Sequence, residues 1–256
     1  MSYLTIFTPT YNRGYLLHDL YRSLVEQTNK EFEWLIIDDE STDNTEELVK
    51  TWIAEESRFS IKYLRQGHGG KHRAINKAVD IAQGDFFFIV DSDDKLVPNA
   101  VELVYGWIDS IGNDNTFAGV AGLKVSKNGE VWGGKTKISG EYVDATDFER
   151  RKYKLKNDKA EIYKTDILRN NKFPEFDDEY FVTEDVCWLN ISYQGYKIRW
   201  FNAPIYICEY LSDGLTNGGA NDIAGHKKNY KGYCFYISAF CGLWRSLVRC
   251  PAVVVR

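Results

Sequence analysis

The chain has 256 residues, of which 44% are hydrophobic and 15% aromatic, enough apolar material for one large domain or two halves fused around a shared core. Its formal charge of −5, from 32 Lys and Arg against 37 Asp and Glu, excludes a nucleic-acid binder that works through a broad basic face. The five cysteines, Cys187, Cys208, Cys234, Cys241 and Cys250, contain no CxxC pair and signal neither a disulfide framework nor a zinc site, which fits a reducing cytoplasm.

The start, MSYLTIFTPTYNR, lacks the basic region and long apolar run of a secretion signal, so a cytoplasmic location is expected. Residues 3–7, 32–38, 60–64 and 85–90 read as strands rich in Ile, Phe, Val and Leu and apolar on both faces. Helical spacing separates them: Leu16, Leu17, Leu20 and Leu24; then Leu48, Val49, Trp52 and Ile53; then Ile75, Ala78, Val79 and Ala82, with Gly84 as the expected C-terminal cap. Strand and helix in regular alternation predict an α/β fold with a Rossmann-like, mostly parallel sheet. A fourth helix is expected from Pro98 to Gly112, and beyond it the pattern changes. FAGVAGLKV, the turn KNGE at 127–130 and VWGG read as an antiparallel excursion. Residues 184–195 predict a helix closed by Gly195, followed by strands KIRWF and IYICEY, a glycine-rich loop at 212–222 and a last aromatic helix. From Tyr233 to Val255 the tail is apolar but interrupted by Arg245 and Arg249, too short between charges to span ~30 Å of hydrocarbon.

Ligands of open α/β sheets bind beyond the carboxyl ends of the strands. Here those ends read TPTYNR, DDESTDNT, RQGHGGKH and DSDDK, four polar segments on one expected rim. Any one of them is also what a solvated loop looks like, and in STDNTEE Asp43 or Asn44 caps a helix with an acidic first turn. Asp91 and Asp93 lie two apart at the end of an extended run, which points their carboxylates to the same side. Their repulsion is relieved by an oxygen-ligated divalent cation, Mg²⁺ or Mn²⁺, with open positions for phosphate oxygens. A solvated acidic turn is the competing reading. GHGGK at 67–71 places glycines at a helix start, where backbone N–H groups attract anions, although the spacing is not that of a P-loop. Asp185, after Thr183 as the expected N-cap, is either a helix-dipole partner or a fixed general base. His226 is a candidate metal ligand or a surface histidine.

Five blocks, TPTYNR (8–13), IIDDESTDNT (36–45), GGKHRAINKA (69–78), DSDD (91–94) and TEDVCW (183–188), occur in the order and spacing of the family 2 glycosyltransferases of GT-A fold, which the chain thus resembles over roughly its first 190 residues. The resemblance implies a nucleotide-sugar-binding half at 1–112, an acceptor-side α+β half carrying the catalytic base at 113–222, and a helical tail at 223–256. It implies inverting transfer of one sugar from a UDP-sugar donor to a carbohydrate or lipid-linked glycan acceptor, in cell-surface polysaccharide or lipopolysaccharide assembly. Carried over by position, Pro9, Tyr11, Asn12, Arg13, Asp39, Lys71, Asp91 and Ser92 would bind the nucleotide-sugar. Among these, Tyr11 would pack on the base and Asp39 accept from the uracil ring. Asp93 with Asp91 would hold Mg²⁺ or Mn²⁺, with His226 a further ligand, and Asp185 would be the base. Processive synthases carry QxxRW and membrane helices; QGYKIRW at 194–200 has the wrong spacing, which favours one sugar per encounter. A C-terminal helix resting on the inner face of a membrane would meet a lipid-linked acceptor. The rival readings are a haloacid-dehalogenase-like phosphatase, disfavoured by Lys95 where Thr or Val is wanted, and a sugar-nucleotide-binding module without catalysis.

Overall fold

A computed structural model describes residues 3–208 and 228–238. Four strands, β1 (Leu4–Thr10), β2 (Phe32–Asp38), β3 (Ser60–Arg65) and β4 (Phe86–Ile89), alternate with three helices, α1 (Gly14–Val25), α2 (Thr45–Glu55) and α3 (Lys71–Ile81). The strands run parallel in the order β3, β2, β1, β4. Helical crossovers impose that direction, and the continuous apolar character of β2, buried at every position, follows from having neighbours on both edges and layers on both faces. The expectation of two apolar faces fails for β3, which is half-exposed along its length because it is the sheet edge.

After β4 the chain forms β5 (Lys95–Leu96), α4 (Ala100–Ile111), β6 (Phe117–Val125), β7 (Tyr142–Ala145), a 3₁₀ helix (Asp147–Tyr153), β8 (Ala160–Lys164), α5 (Thr165–Arg169), α6 (Asp185–Tyr193) and β9 (Lys197–Ile207). β8 inserts antiparallel between β4 and β6, β9 lies parallel to β6, and β5 and β7 pair antiparallel with β9, giving one nine-stranded sheet. Because β8 opposes both neighbours, β6 points the same way as β4. The carboxyl ends of β1 to β4 and β6 therefore share one rim, and the start of β8 joins them there.

Side chains alternate across this sheet into two apolar layers. Leu4, Ile6, Trp34, Ile36, Phe86 and Phe88 pack on α1, α2 and α4 through Leu17, Leu20, Leu24, Trp52 and Trp107. Phe7, Leu35, Ile37, Phe87 and Tyr163 pack on α3, α5 and α6 through Ile75, Val79, Leu168, Trp188 and Ile191. Each fully buried large side chain of this kind contributes roughly 1.5–3 kcal/mol relative to exposure. Both layers draw residues from before and after residue 112, so the two halves share their core.

Several local expectations change. The hairpin expected at KNGE shrinks to a single bridge between Val125 and Val131, because β6 takes its ladders from β8 and β9 instead. KIRWF and IYICEY form one continuous strand up to Ile207. Gly84 does not cap α3, which ends on Ala82; it sits where a Cβ would come within 2.4 Å of the Thr5 nitrogen, so its role is close backbone approach. Residues 230–238 are helical, and no helix among the described residues is long and apolar enough to cross a membrane. The glycine-rich loop at 212–222, His226, and Phe240, Trp244, Arg245 and Arg249 of the tail lie outside the described residues.

Candidate active site

The rim is built by hydrogen bonds between successive loops. Asn12, with φ 52°, sits in the left-handed region that Asn tolerates; its N–H donates to Ser41 Oγ at 2.8 Å and its Oδ1 accepts from the Thr42 N–H at 2.8 Å. Asp43 Oδ2 accepts from the Gly14 N–H at 3.0 Å while its Oδ1 accepts from the Thr45 N–H at 3.1 Å, so it serves the starts of α1 and α2 together. Asn44 holds the N-cap position of α2 but makes no side-chain cap bond. Asp39 accepts the N–H groups of Gly69 and Gly70, each at 2.8 Å, and Gln66 Nε2 at 2.8 Å. That carboxylate is only 5% exposed and fastens the glycine loop before α3 to the end of β2.

Pro9 is half-buried within β1, opposite Ile37, and Tyr11 projects from its end with 45% of its surface exposed. Arg13 lies just before α1, donates from Nη1 to the Tyr15 hydroxyl at 3.0 Å, and is near enough to Asp93 for its charge to favour the ionised carboxylate.

The DSDD segment is not a strand end. β4 stops at Ile89, and Asp91 to Asp94 form a turn in which the Asp94 N–H donates to the Asp91 carbonyl at 3.1 Å. The alternation argument for Asp91 and Asp93 therefore does not apply; their relation is set by the turn. Tyr206, from β9, braces it: its hydroxyl accepts the Asp91 N–H at 3.0 Å and donates to Asp94 Oδ2 at 2.7 Å. Ser92 is buried in the same turn.

The cation facing Asp91 is Lys71. Its Nζ lies 2.6 Å from Asp91 Oδ1 and 2.8 Å from Glu184 Oε1. Burial pulls the ammonium down, but the two carboxylates outweigh it and hold its pKa above the ordinary lysine value. Burial raises Asp91, and Lys71 with Lys124 more than offsets this and holds it low. In its neighbours the nearby cations do not offset burial. Burial and the Asp91 charge push Asp93 up, and push Asp94 up to about 7. Carboxylates that repel one another at a partly open turn suit a hard divalent cation with oxygen ligands. Among the described residues no three His, Cys, Asp or Glu side chains converge into a cage.

Asp185 is the first residue of α6, exposed at the mouth. The N-cap position is Glu184, and Thr183 contributes its carbonyl, which accepts the Val186 N–H at 3.2 Å. Partial enclosure by the protein wall and the charge of Asp147 push the Asp185 carboxyl upward, against the opposing pull of Arg150. Beside it, Lys71, Ile89, Asp91, Lys124, Glu161 and Trp188 line a small cavity at the rim. Lys124 sits over the Tyr206 ring, 4.3 Å from its centroid, where register shifts break the β6–β9 ladder. Burial drives the Glu161 carboxyl up to about 8, against the opposing pull of Arg150 and Lys124.

The segment leading to Asp185 is clasped from two sides. On one side, Asn76 exchanges hydrogen bonds with the Phe173 backbone, both at 2.9 Å, and Arg73 donates to the Phe176 and Glu179 carbonyls at 2.5 and 3.3 Å. On the other, Glu179 accepts the Lys231 and Gly232 N–H groups at 2.7 and 2.8 Å, and Asn229 Oδ1 accepts those of Tyr180 and Phe181 at 3.1 Å. Sequence reasoning singled out neither this clasp nor Tyr206. A polar Asn76 beside Ile75, Ala78 and Val79 on the helix face that is buried was the available signal.

Residues 5–172 match the family model described as "Glycosyl transferase family 2". The GalNAc(5)-diNAcBac-PP-undecaprenol beta-1,3-glucosyltransferase of Campylobacter jejuni is 26% identical over 196 residues, 75% of this chain and 60% of its own length. The putative teichuronic acid biosynthesis glycosyltransferase TuaG of Bacillus subtilis is 32% identical over 99 residues, 39% of either chain. Among solved structures, S. aureus TarS 1–349 in complex with UDP-GlcNAc superposes with TM-score 0.63 at 23% identity, covering 82% of this chain and 59% of that one. The mannosyltransferase PcManGT from Pyrobaculum calidifontis, in complex with GDP-Man and Mn²⁺, gives TM-score 0.60 at 19% identity over 83% of this chain and 58% of that one. These structures share the fold, and the chain spans less than two thirds of the length of each of these relatives.

Proposed function

The chain belongs to glycosyl transferase family 2, and we propose that it moves a single sugar from a UDP-sugar to an acceptor hydroxyl, with inversion at the anomeric carbon, in the assembly of a cell-surface polysaccharide or glycolipid. Family membership also sets aside the phosphatase reading of the DSDD turn. One observation carries the proposal: Lys71 pairs with Asp91 and with Glu184 simultaneously, which brings the acidic turn of the donor side and the helix start bearing Asp185 to one mouth.

In this reading Tyr11 and Asp39 take the base, the Lys71 ammonium takes diphosphate oxygens, and Asp91 and Ser92 face the ribose and phosphates. Asp93, with Asp91, would hold Mg²⁺ or Mn²⁺, which when bound neutralises charge developing on the leaving diphosphate. Asp185 accepts the proton of the acceptor hydroxyl as that oxygen bonds to the anomeric carbon and the bond to the diphosphate oxygen breaks on the opposite face. One carboxylate suffices, unlike the pair used in glycoside hydrolysis. Its upward shift, caused by burial and the Asp147 charge, strengthens it as a base. Glu184, tied to Lys71, orients rather than reacts.

Support for the donor comes from TarS, whose structures hold UDP-GlcNAc and UDP, and for the cation from the Mn²⁺ in PcManGT. The acceptor proposal, a lipid-linked glycan, leans on the C. jejuni relative, whose name states a polyprenyl-diphosphate substrate. Such an acceptor would place the enzyme at the cytoplasmic face of a membrane. The test is thermal unfolding with UDP: protection is expected with Mn²⁺ or Mg²⁺ and not in EDTA, and Asp93→Asn should abolish it. Equal protection in EDTA would remove the cation from the proposal.

A further inference from the structure

His68 lies in the glycine loop before α3, and its ring is enclosed by two tyrosines. The imidazole centroid is 4.5 Å from that of Tyr11, inclined at 31°, and 4.9 Å from that of Tyr180, inclined at 20°. Its Nδ1 lies 3.0 Å from Asp39 Oδ2 and 3.3 Å from the Asp39 carbonyl, and its backbone N–H donates to Glu40 Oε2 at 3.1 Å. A planar heterocycle stacked on Tyr11, with a ring N–H directed at Asp39, is also the arrangement required of a uracil in the reading above. Imidazole and base cannot occupy the position together.

Resting on that reading of the donor, we propose that Tyr11 and Tyr180 are the two walls of a nucleobase slot one ring thick, and that His68 is its built-in occupant, displaced when the base enters. The occupant is open to solvent on one side. Its side chain is 38% exposed, and a Cβ at the preceding Gly67 would meet nothing within 4 Å. The far wall is fixed: the Tyr180 N–H is held by Asn229, and its carbonyl lies against Gly70, where an added Cβ would sit 1.9 Å away. Asp39 selects among bases that fit between the rings. Its carboxylate accepts from the N3–H of uracil or thymine and finds no donor on N3 of cytosine. The slot therefore joins the end of β1 to the segment that leads into Asp185, so base recognition touches both halves of the molecule.

The experiment is calorimetric titration of the whole chain with UDP and with pyrophosphate, in Mn²⁺, for the wild type, His68→Ala and Tyr180→Leu. Removing a competitor raises apparent affinity by the inverse of the open fraction, about three- to tenfold for a ring held by two exposed stacking contacts and one hydrogen bond. His68→Ala should thus bind UDP more tightly and pyrophosphate unchanged, whereas Tyr180→Leu should weaken UDP about tenfold and leave pyrophosphate alone. Proton NMR gives an independent readout. The His68 Cε1–H, shielded between two rings, should move downfield on saturation with UDP and stay in place with pyrophosphate. A His68→Ala protein that binds UDP equally or more weakly, or a His68 resonance unmoved in the UDP complex, would overturn the slot. Failure of the wild type to bind UDP at all would overturn the donor reading and the slot's ligand with it.

Discussion

Gly70→Ala tests how closely the glycine loop and the segment before Asp185 are fitted. Gly70 has φ +89°, and a Cβ there would stand 1.9 Å from the Tyr180 carbonyl oxygen and 2.7 Å from its carbon. The obstacle is backbone, so no rotamer change relieves it. The carbonyl must retreat from 1.9 Å to at least 3.0 Å, more than an ångström, while the Phe181 N–H of the same peptide unit donates to Asn229 Oδ1. With ψ 163° the residue also lies in a backbone region essentially confined to glycine, which adds about 1–3 kcal/mol of strain for a residue with a Cβ. Displacements near an ångström at a reacting group cost about 100-fold in rate, and Tyr180 is five residues from Asp185 on the same tethered segment. We expect Gly70→Ala to lose about 100-fold in kcat, with a modest fall in Tm. Gly67→Ala is the control, because its Cβ meets nothing within 4 Å and its φ is not positive. Steady-state assay of both variants with a UDP-sugar and acceptor, corrected for folded fraction by circular dichroism, makes the comparison. A Gly70→Ala enzyme within threefold of Gly67→Ala would show that the contact does not position the base.

Asp185→Asn should retain UDP affinity and lose at least ~100-fold in turnover, the scale of a positioned general base; comparable turnover would move that role to another group. His72 supplies a stability prediction: it is 2% exposed with no partner on either ring nitrogen, and burial together with Arg73 lowers its pKa from 6.5 to about 4. The unfolded chain therefore binds the proton first, so this contribution is whole above pH 6.5 and is lost as pH falls toward 4, up to about 3 kcal/mol. Urea titrations should show His72→Leu losing less stability than wild type between pH 7 and 4.5, and parallel losses would refute the assignment.

What could be read from the sequence was whatever depends on short range. Each strand–helix unit of the first half carries its own period and its own break, so Leu17, Leu20 and Leu24, or the unbroken FEWLIID, declare their faces without knowledge of the rest. The polar strand ends were legible for the same reason, since the rim rule converts a list of loops into a place. Alternation failed at Asp91 because the strand had already ended two residues earlier, and a turn leaves no periodic trace. The hairpin at KNGE failed for a different cause: β6 had two better partners, one of them 80 residues further on, and local turn chemistry lost to tertiary pairing.

The contacts that turn the rim into a site join residues far apart in the sequence. Tyr206 reaches Asp91 across 115 positions, and Arg73 reaches Phe176 across 103. Lys71 shows why such pairs stay hidden. Its charge was visible beside the glycines, and so were the acids at 91 and 184, but a lysine opposite DSDD serves equally as a partner to phosphate or as a counter-ion. The fold supplies what spacing could not: α3 begins beside the end of β4, and a clasp at residues 173–184 carries Glu184 back to the same nitrogen. Negative charge at that turn is thus balanced within the free protein by a group that also suits an incoming diphosphate. The net charge of −5 excludes a broad basic face yet says nothing against so small a cationic centre.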